Sequence, residues 1–258
     1  MSDKQIVNLP LKHLRPDPLT KQELHNTAVE RVHLIAKEFT DGFSFLRNYP
    51  RSVTVFGGSH FKQGDLYYIK ARELTGRIVN EMGYSVLTGG GPGIMEAANR
   101  GAFEAGGISL GLTIELAKHQ IQNQYLTRNL NFYYFFSRKV CLSFSAEAYI
   151  FFPGGFGTLD EFFEIITLVQ TRKIEKVPII LVGSDFWNPL DEFMRKEMLS
   201  NGAIDQGDLR LYKITDNLDE IIEIVKNAPV RNGIKFDRKE FTKADLEKLG
   251  IVIEHTLE

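Results

Sequence analysis

The 258-residue chain carries 31 basic and 33 acidic residues, a formal charge of -2 mixed along its length, so no strong field favours nucleic acid or an anionic membrane and a small-molecule partner is expected. Its 43% hydrophobic content suffices for one substantial core, and neither a signal-peptide-like run nor about 18 consecutive apolar residues occur, which predicts a single main domain in a cytoplasmic protein. The lone Cys141 excludes an intrachain disulfide framework and fits a reducing compartment.

Residues 1–19 are polar, and Pro10, Pro16 and Pro18 disfavour helix there, so an extended arm is expected. Thr20 and Glu23 then form a capping-box pattern, and Leu24, Ala28, Val32, Ile35 and Phe39 recur at helical spacing, predicting a helix over about 21–40. From residue 52 a regular alternation begins. SVTVF, YSVLT, ISLGLTI, AYIFF, VPIILVG and LYKIT read as strands. Between and after them, DLYYIKARELTGRIVNEMG, PGIMEAANRGAFEAGG, TLDEFFEIITLVQT, NPLDEFMRKEML and NLDEIIEIVK read as helices. This pattern predicts an α/β fold with a doubly wound, mostly parallel sheet and helices on both faces. The organisation expected is an arm and helix over 1–48, the main domain over 49–227, and a polar tail over 228–258 with one capped helix candidate, TKADLEKLG. Residues 118–136, KHQIQNQYLTRNLNFYYFF, break the alternation with amides and aromatics and read as a long irregular connection that walls a site.

Two glycine loops follow strands. YSVLT runs into Gly89, Gly90, Gly91, Pro92 and Gly93, and AYIFF runs into PGGFG at 153–157; Gly57 to Ser59 form a third, smaller turn after VTVF. Glycines let an anion approach the main chain, and a following helix presents unpaired N–H groups and the positive end of its dipole. In an open parallel sheet such loops lie where ligands bind, although glycines after strands also serve as plain turns. Neither loop completes G-x-G-x-x-G or continues into Gly-Lys-Ser/Thr, which disfavours a dinucleotide and a Walker-type triphosphate site and leaves a monophosphate.

Thr158-Leu159-Asp160-Glu161 permits two readings. As a capping box, Thr158 caps the helix and Glu161 reaches back to the cap. As chemistry, a carboxylate near a helix N-terminus is stabilised as an anion by roughly 0.3–1 kcal/mol, so Glu161 should stay ionised beside a phosphate and meet a cationic, oxocarbenium-like transition state. The histidines at 13, 25, 33, 60, 119 and 255 form no H-E-x-x-H, and no G-x-S-x-G occurs, so no metal and no cofactor are expected and water is the nucleophile.

GGGPGIMEAANRGA at 89–102, FFSRK at 135–139 and PGGFGTLDE at 153–161 together resemble the signatures of the Lonely Guy phosphoribohydrolases, over roughly residues 50–227. Many members of that family once carried the label of possible lysine decarboxylase, which nothing in these residues supports. The resemblance implies a Rossmann-like homodimer that hydrolyses the N-glycosidic bond of a nucleoside 5'-monophosphate. It further implies Glu161 and Arg138 as the catalytic pair, with Gly154, Gly155, Gly157, Thr158, Gly89, Gly90, Gly91 and Lys139 binding the nucleotide. Ser59 and Glu96 are further candidates from their positions near the loops. The shorter plant-type members have no equivalent of the first 45 or so residues, and the longer form suits AMP-type substrates better than a hormone precursor.

Each assignment has a plainer reading. Arg138 could face solvent at a helix start, and Phe132 to Phe136 could be core rather than a base-stacking face. A non-catalytic carrier of a molybdenum-cofactor type shares the fold and glycine loops but has no need of the Arg138 and Glu161 pair. A single-strand DNA protein would show a basic, aromatic-lined groove, whereas Arg-Lys pairs here are scattered.

Overall fold

A computed structural model describes residues 20–115, 122–144 and 146–228, with the side chains of Glu23, Leu24 and Thr27 set aside. The arm, the candidate tail helix and part of the 118–136 connection therefore lie outside the described residues. Seven strands form one parallel sheet: β1 Ser52–Phe56, β2 Ser85–Thr88, β3 Ser109–Ile114, β4 Arg128–Phe132, β5 Ala146–Phe151, β6 Ile179–Leu181 and β7 Lys213–Ile214. The helices are α1 Lys21–Leu46, α2 Leu66–Met82, α3 Ile94–Glu104, α4 Phe135–Leu142, α5 Phe156–Gln170, α6 Ser184–Phe193 and α7 Leu218–Lys226. None of the described helices is long and apolar enough to cross a membrane.

The strand order is β4-β3-β2-β1-β5-β6-β7, so the chain builds outward from β1 in one direction and then returns to β1's other side with β5. Side chains alternate between two cores. Val53, Val55, Val86, Ala148, Ile150 and Ile180 join residues of α2, α3 and α7, while Leu87, Leu110, Tyr149, Phe151 and Leu181 join residues of α4, α5 and α6. Helix α2 therefore leaves β1 toward one face, and α5 leaves β5 toward the other. Adjacent strands whose connections diverge leave a crevice between their carboxyl ends, which is the topological switch point of an open parallel sheet.

Three elements depart from the sequence expectation. α1 extends to Leu46 because its last turns carry Phe39, Phe43, Phe45 and Leu46 onto the core. The 118–136 connection is not irregular throughout: residues 128–132 form β4, which pairs with β3 from Leu110↔Arg128 to Ile114↔Phe132. α6 starts at Ser184, four residues before the expected Asn188, because Asp216 accepts the Gly183 and Ser184 N–H groups at 2.8 and 3.0 Å and supplies the cap from beyond β7.

Candidate active site

All three glycine turns converge on the switch point, and the backbone of one residue ties them together. The Gly58 N–H donates to the Pro153 carbonyl at 2.9 Å, and the Gly58 carbonyl accepts from the Ile94 N–H at 3.0 Å. Such closeness excludes side chains. A Cβ on Gly93, whose φ is 72°, would meet the Gly58 oxygen at 2.4 Å, and one on Gly154 would meet the Gly58 nitrogen at 2.9 Å and Thr158 Oγ1 at 2.2 Å. Ser59 lies exposed at the rim, with its hydroxyl 3.5 Å from His60 Nδ1.

The two larger loops differ in what they leave open. Gly89, Gly90 and Gly91 are buried; the Gly90 N–H donates to Thr88 Oγ1, and Asn123 donates to the carbonyls of Gly90 and Gly91. This loop is braced by a buried network in which Asn99 Oδ1 accepts from both Thr88 and Asn123, while its amide donates to Ser109 and to the Leu110 carbonyl. Gly155, Phe156 and Gly157 are instead exposed, at the uncapped start of α5. The starts of α6 and α7 are filled by Asp216 and by Asn217, and the first amide of α3 is taken by Gly58. Helix α5 thus offers an N-terminus free of protein side-chain caps, with the dipole's positive end directed into the crevice.

Helix α5 begins two residues earlier than its sequence suggests. Gly155 is the N-cap, Thr158 is the third helical residue with its side chain packed on Gly154, and Glu161 falls in the second turn. The capping-box reading is thereby overturned, since the N3 position that would reach back belongs to Thr158. The expectation that the helix dipole keeps Glu161 ionised is also overturned. Burial pushes its carboxyl up to about 7, against the pull of Arg138 and Lys139 and with a further push from Asp160 and Glu164.

Arg138 does not face solvent: it is 8% exposed on α4, and its Nε donates to the Leu112 carbonyl at 2.6 Å. Its guanidinium lies against Gly89, where a Cβ would stand 2.2 Å from Nη2, so the triple glycine also makes room for the arginine. Burial lowers the proton affinity of this guanidinium and the neighbouring Glu161 charge opposes that effect. Lys139 bridges α4 to α5, 2.8 Å from Asp160 and 3.0 Å from Glu164, so its ammonium frames Glu161 from both sequence neighbours. Glu96 accepts from the Tyr68 hydroxyl at 2.8 Å across the α2–α3 seam. The aromatic run divides: Phe132 is core at 1% exposure, whereas Tyr133, Phe135 and Phe136 are exposed.

Two parts of the site escaped the sequence reading. Asn99 sits between Ala98 and Arg100 in EAANRGA, where no motif sets it apart. Glu38 of α1 accepts from the Tyr133 and Tyr134 N–H groups and the Ser137 hydroxyl at the start of α4, a contact spanning nearly a hundred residues that leaves no local signature.

With this geometry in place, the comparisons with known proteins decide the family. The family model described as "Possible lysine decarboxylase" matches residues 95–225, just over half of the 258-residue chain. The chain belongs to this family, the Lonely Guy family. A cytokinin riboside 5'-monophosphate phosphoribohydrolase of Arabidopsis thaliana is 27% identical over 187 residues, 71% of this chain and 81% of that one. One from Rhodococcoides fascians is 27% identical over 148 residues, 55% of this chain and 72% of that one. Among solved structures, the structural-genomics target TM1055 has a TM-score of 0.53 at 22% identity, over 68% of this chain and 98% of that one. The molybdenum cofactor binding protein of Rippkaea orientalis has a TM-score of 0.50 at 19% identity, over 69% of this chain and 95% of that one. Both share the Rossmann-like fold with this chain.

The contact at Gly58 yields a test of how the loops are held. Gly93→Ala brings both a strained φ and an overlap with backbone that no rotamer can relieve, and it should destabilise the protein by at least about 2 kcal/mol in urea unfolding. A cost below about 0.5 kcal/mol would mean that the two turns are not locked together.

Proposed function

We propose that the protein hydrolyses the N-glycosidic bond of a nucleoside 5'-monophosphate of the AMP type, releasing the free base and ribose 5-phosphate. The observation that carries this reading is the pairing, on one helix, of an uncapped glycine-lined N-terminus with a half-buried carboxyl in the next turn. Gly155 and Glu161 are six residues apart, about 9 Å of helical rise, which lets a ribose lie between a phosphate at the helix start and the carboxyl. The phosphate is held by main-chain N–H groups of Gly155 to Thr158 and by the dipole of α5. Gly89, Gly90 and Gly91 contribute mainly by shape, because two of their carbonyls and the Gly90 N–H already have protein partners.

In the reaction, a water oxygen bonds to the anomeric carbon as the bond from that carbon to the base nitrogen breaks. The electron pair of the broken bond leaves with the base. The negative charge of Glu161 stabilises the oxocarbenium character of the sugar; Glu161 takes a proton from the water, the departing base takes one up from solvent, and Glu161 then releases its proton to solvent, which balances the step. A carboxyl that titrates near 7 is matched to this work, since it is a stronger base than an ordinary carboxylate and still partly ionised at neutral pH. Arg138 supplies a fixed fork of donors for substrate oxygens that a lysine cannot copy. The curated relatives named as phosphoribohydrolases support the reaction class.

Incubation with nucleoside mono-, di- and triphosphates, scoring freed base by chromatography, tests the reading; base should appear from monophosphates alone. Failure to release base, with tight retention of a pterin, would favour a carrier role instead. Glu161→Gln should fold and lose about 10²–10⁴-fold in kcat. As the ionised carboxylate is the base, the wild-type rate should rise with pH through about 7, and a rate that falls across that range would assign Glu161 a proton-donating role.

The same raised value makes a statement about stability. Between the ordinary carboxylate range and about 7, the folded protein keeps a proton that the unfolded chain releases, so the contribution of Glu161 falls as pH rises and is lost above 7. Glu161→Gln should therefore match wild type near pH 4 and exceed it at pH 8 by on the order of 2 kcal/mol. Denaturant melts at both pH values check this, and an equal difference at the two would show that Glu161 is not held in its neutral form.

A further inference from the structure

Helix α1 lies outside the matched 95–225 stretch, yet it grips the helix that carries Arg138 and Lys139 at two points. At the start of α4, the residue in the N-cap position is Tyr134, which supplies no side-chain cap. A carboxylate from elsewhere anchors this end instead: Glu38 accepts the Tyr133 N–H at 2.5 Å and the Tyr134 N–H at 3.3 Å, just ahead of the first turn, and the hydroxyl of the fully buried Ser137 within it. An anion at this end also favours the helix dipole. One turn further along α1 is Gly42, where a Cβ would stand 2.4 Å from Cys141 Sγ and 3.1 Å from Phe132 Cζ, so the α1 backbone rests directly on the second half of α4 and the end of β4.

Two attachments on one face fix both the height and the roll of a two-turn helix that is too short to hold itself. Arg138 follows Ser137 directly, and its Nε bond to the Leu112 carbonyl, together with the gap left by Gly89, tolerates little displacement. Lys139 follows in turn and reaches Asp160 and Glu164 on either side of Glu161.

We propose that Glu38 is a positioning residue for the active site: its carboxylate, delivered by α1, seats the N-terminus of α4 where Arg138 and Lys139 face Glu161. This rests on the reading of those three residues given under Proposed function. Glu38 touches no substrate in this account and acts only through α4. The extra N-terminal helix is accordingly part of the catalytic apparatus.

The charged groups facing Glu161 are Arg138 and Lys139 from α4 and Asp160 and Glu164 from its own helix. If α4 shifts, the pull of its two cations and the burial at Glu161 both change while the two carboxylates stay, so the Glu161 midpoint must move. The test uses the full chain with Glu38→Ala, Glu38→Gln and Glu38→Asp. The Glu161 carboxyl is followed by carbon-detected NMR titration and assigned by its disappearance in Glu161→Gln, and turnover is followed on AMP. Glu38→Ala should move the Glu161 midpoint by half a pH unit or more and lower kcat at least about tenfold, with KM changed less than about threefold. Glu38→Gln, which keeps a carbonyl acceptor, should restore most of both. A folded Glu38→Ala protein with an unmoved midpoint and kcat within twofold of wild type would reduce Glu38 to a helix cap. If Glu38→Ala does not fold, the shortened carboxylate of Glu38→Asp must still move the midpoint, and no movement overturns the proposal. A midpoint that moves in a protein releasing no base from any nucleotide would sink the hydrolase reading and leave the positioning role standing.

Discussion

The backbone of Gly58 is the point on which the upper end of the sheet depends. Its N–H and carbonyl are spent on Pro153 and on Ile94, so the turn after the central strand is bonded simultaneously to the loops on both sides of it. Each bond contributes only about 1 kcal/mol net. Their geometric effect is larger, because they bring three turns within van der Waals contact and make Gly93 and Gly154 obligatory where a Cβ would strike backbone. The crevice is held open by main chain packed against main chain. Its depth therefore owes little to side chains, and the α5 amides at its mouth keep their places whatever neighbours vary.

Against this rigid half stands a charged half that is left incompletely satisfied. Taking a carboxylate and a guanidinium out of water costs several kcal/mol per ion, which direct pairing could offset. Here Arg138 spends its Nε on the Leu112 carbonyl, and its attraction to Glu161 is not sufficient to outweigh the burial that lifts Glu161 to about 7. A tight ion pair would have been more stable and chemically inert, since it would have pulled the carboxyl far below neutrality. Separation keeps both groups available for the proposed hydrolysis: the guanidinium for oxygens of a nucleotide, the carboxyl for a proton and for positive charge arising on the sugar. Lys139, framed by Asp160 and Glu164, limits how far those two carboxylates push Glu161 further.

Much of this fold is legible from sequence because buried parallel strands read as uninterrupted apolar runs, and a glycine marks the end of α2 at Gly83. β4 was missed for the converse reason. It is an edge strand with the polar sequence RNLNF, largely exposed, and only its register with β3 identifies it. The starts of α5 and α6 were misplaced because local rules favoured Thr158 and Pro189, while the observed starts depend on a glycine cap and on Asp216 from a distant segment. The candidate site follows the same division. The glycines, Arg138 and Glu161 stand out as motifs, and the structure brings them to one crevice. The titration behaviour of Glu161 could not be read from position, because its burial in the folded chain outweighs a helix dipole whose influence fades within the first turn. Glu38 and Asn99 act through contacts that sequence order does not record.

The contrast between a main-chain half and a side-chain half bears on how such a site tolerates sequence change, in a chain 27% identical to a phosphoribohydrolase. Main-chain anion binding constrains only the glycines, so the remainder of the loops and the sheet beneath them can vary as long as the cores are filled. The side-chain half is more demanding, since a displacement of α4 by a fraction of an ångström alters the field at Glu161. A two-turn helix cannot provide that constancy alone, and the residues that brace it need not come from the conserved part of the fold. In this chain the bracing comes from α1 through Glu38 and Gly42. Differences among relatives should accordingly concentrate in what holds α4 rather than in what holds the phosphate loop, because many surfaces can seat a short helix whereas few backbones can make the glycine crevice.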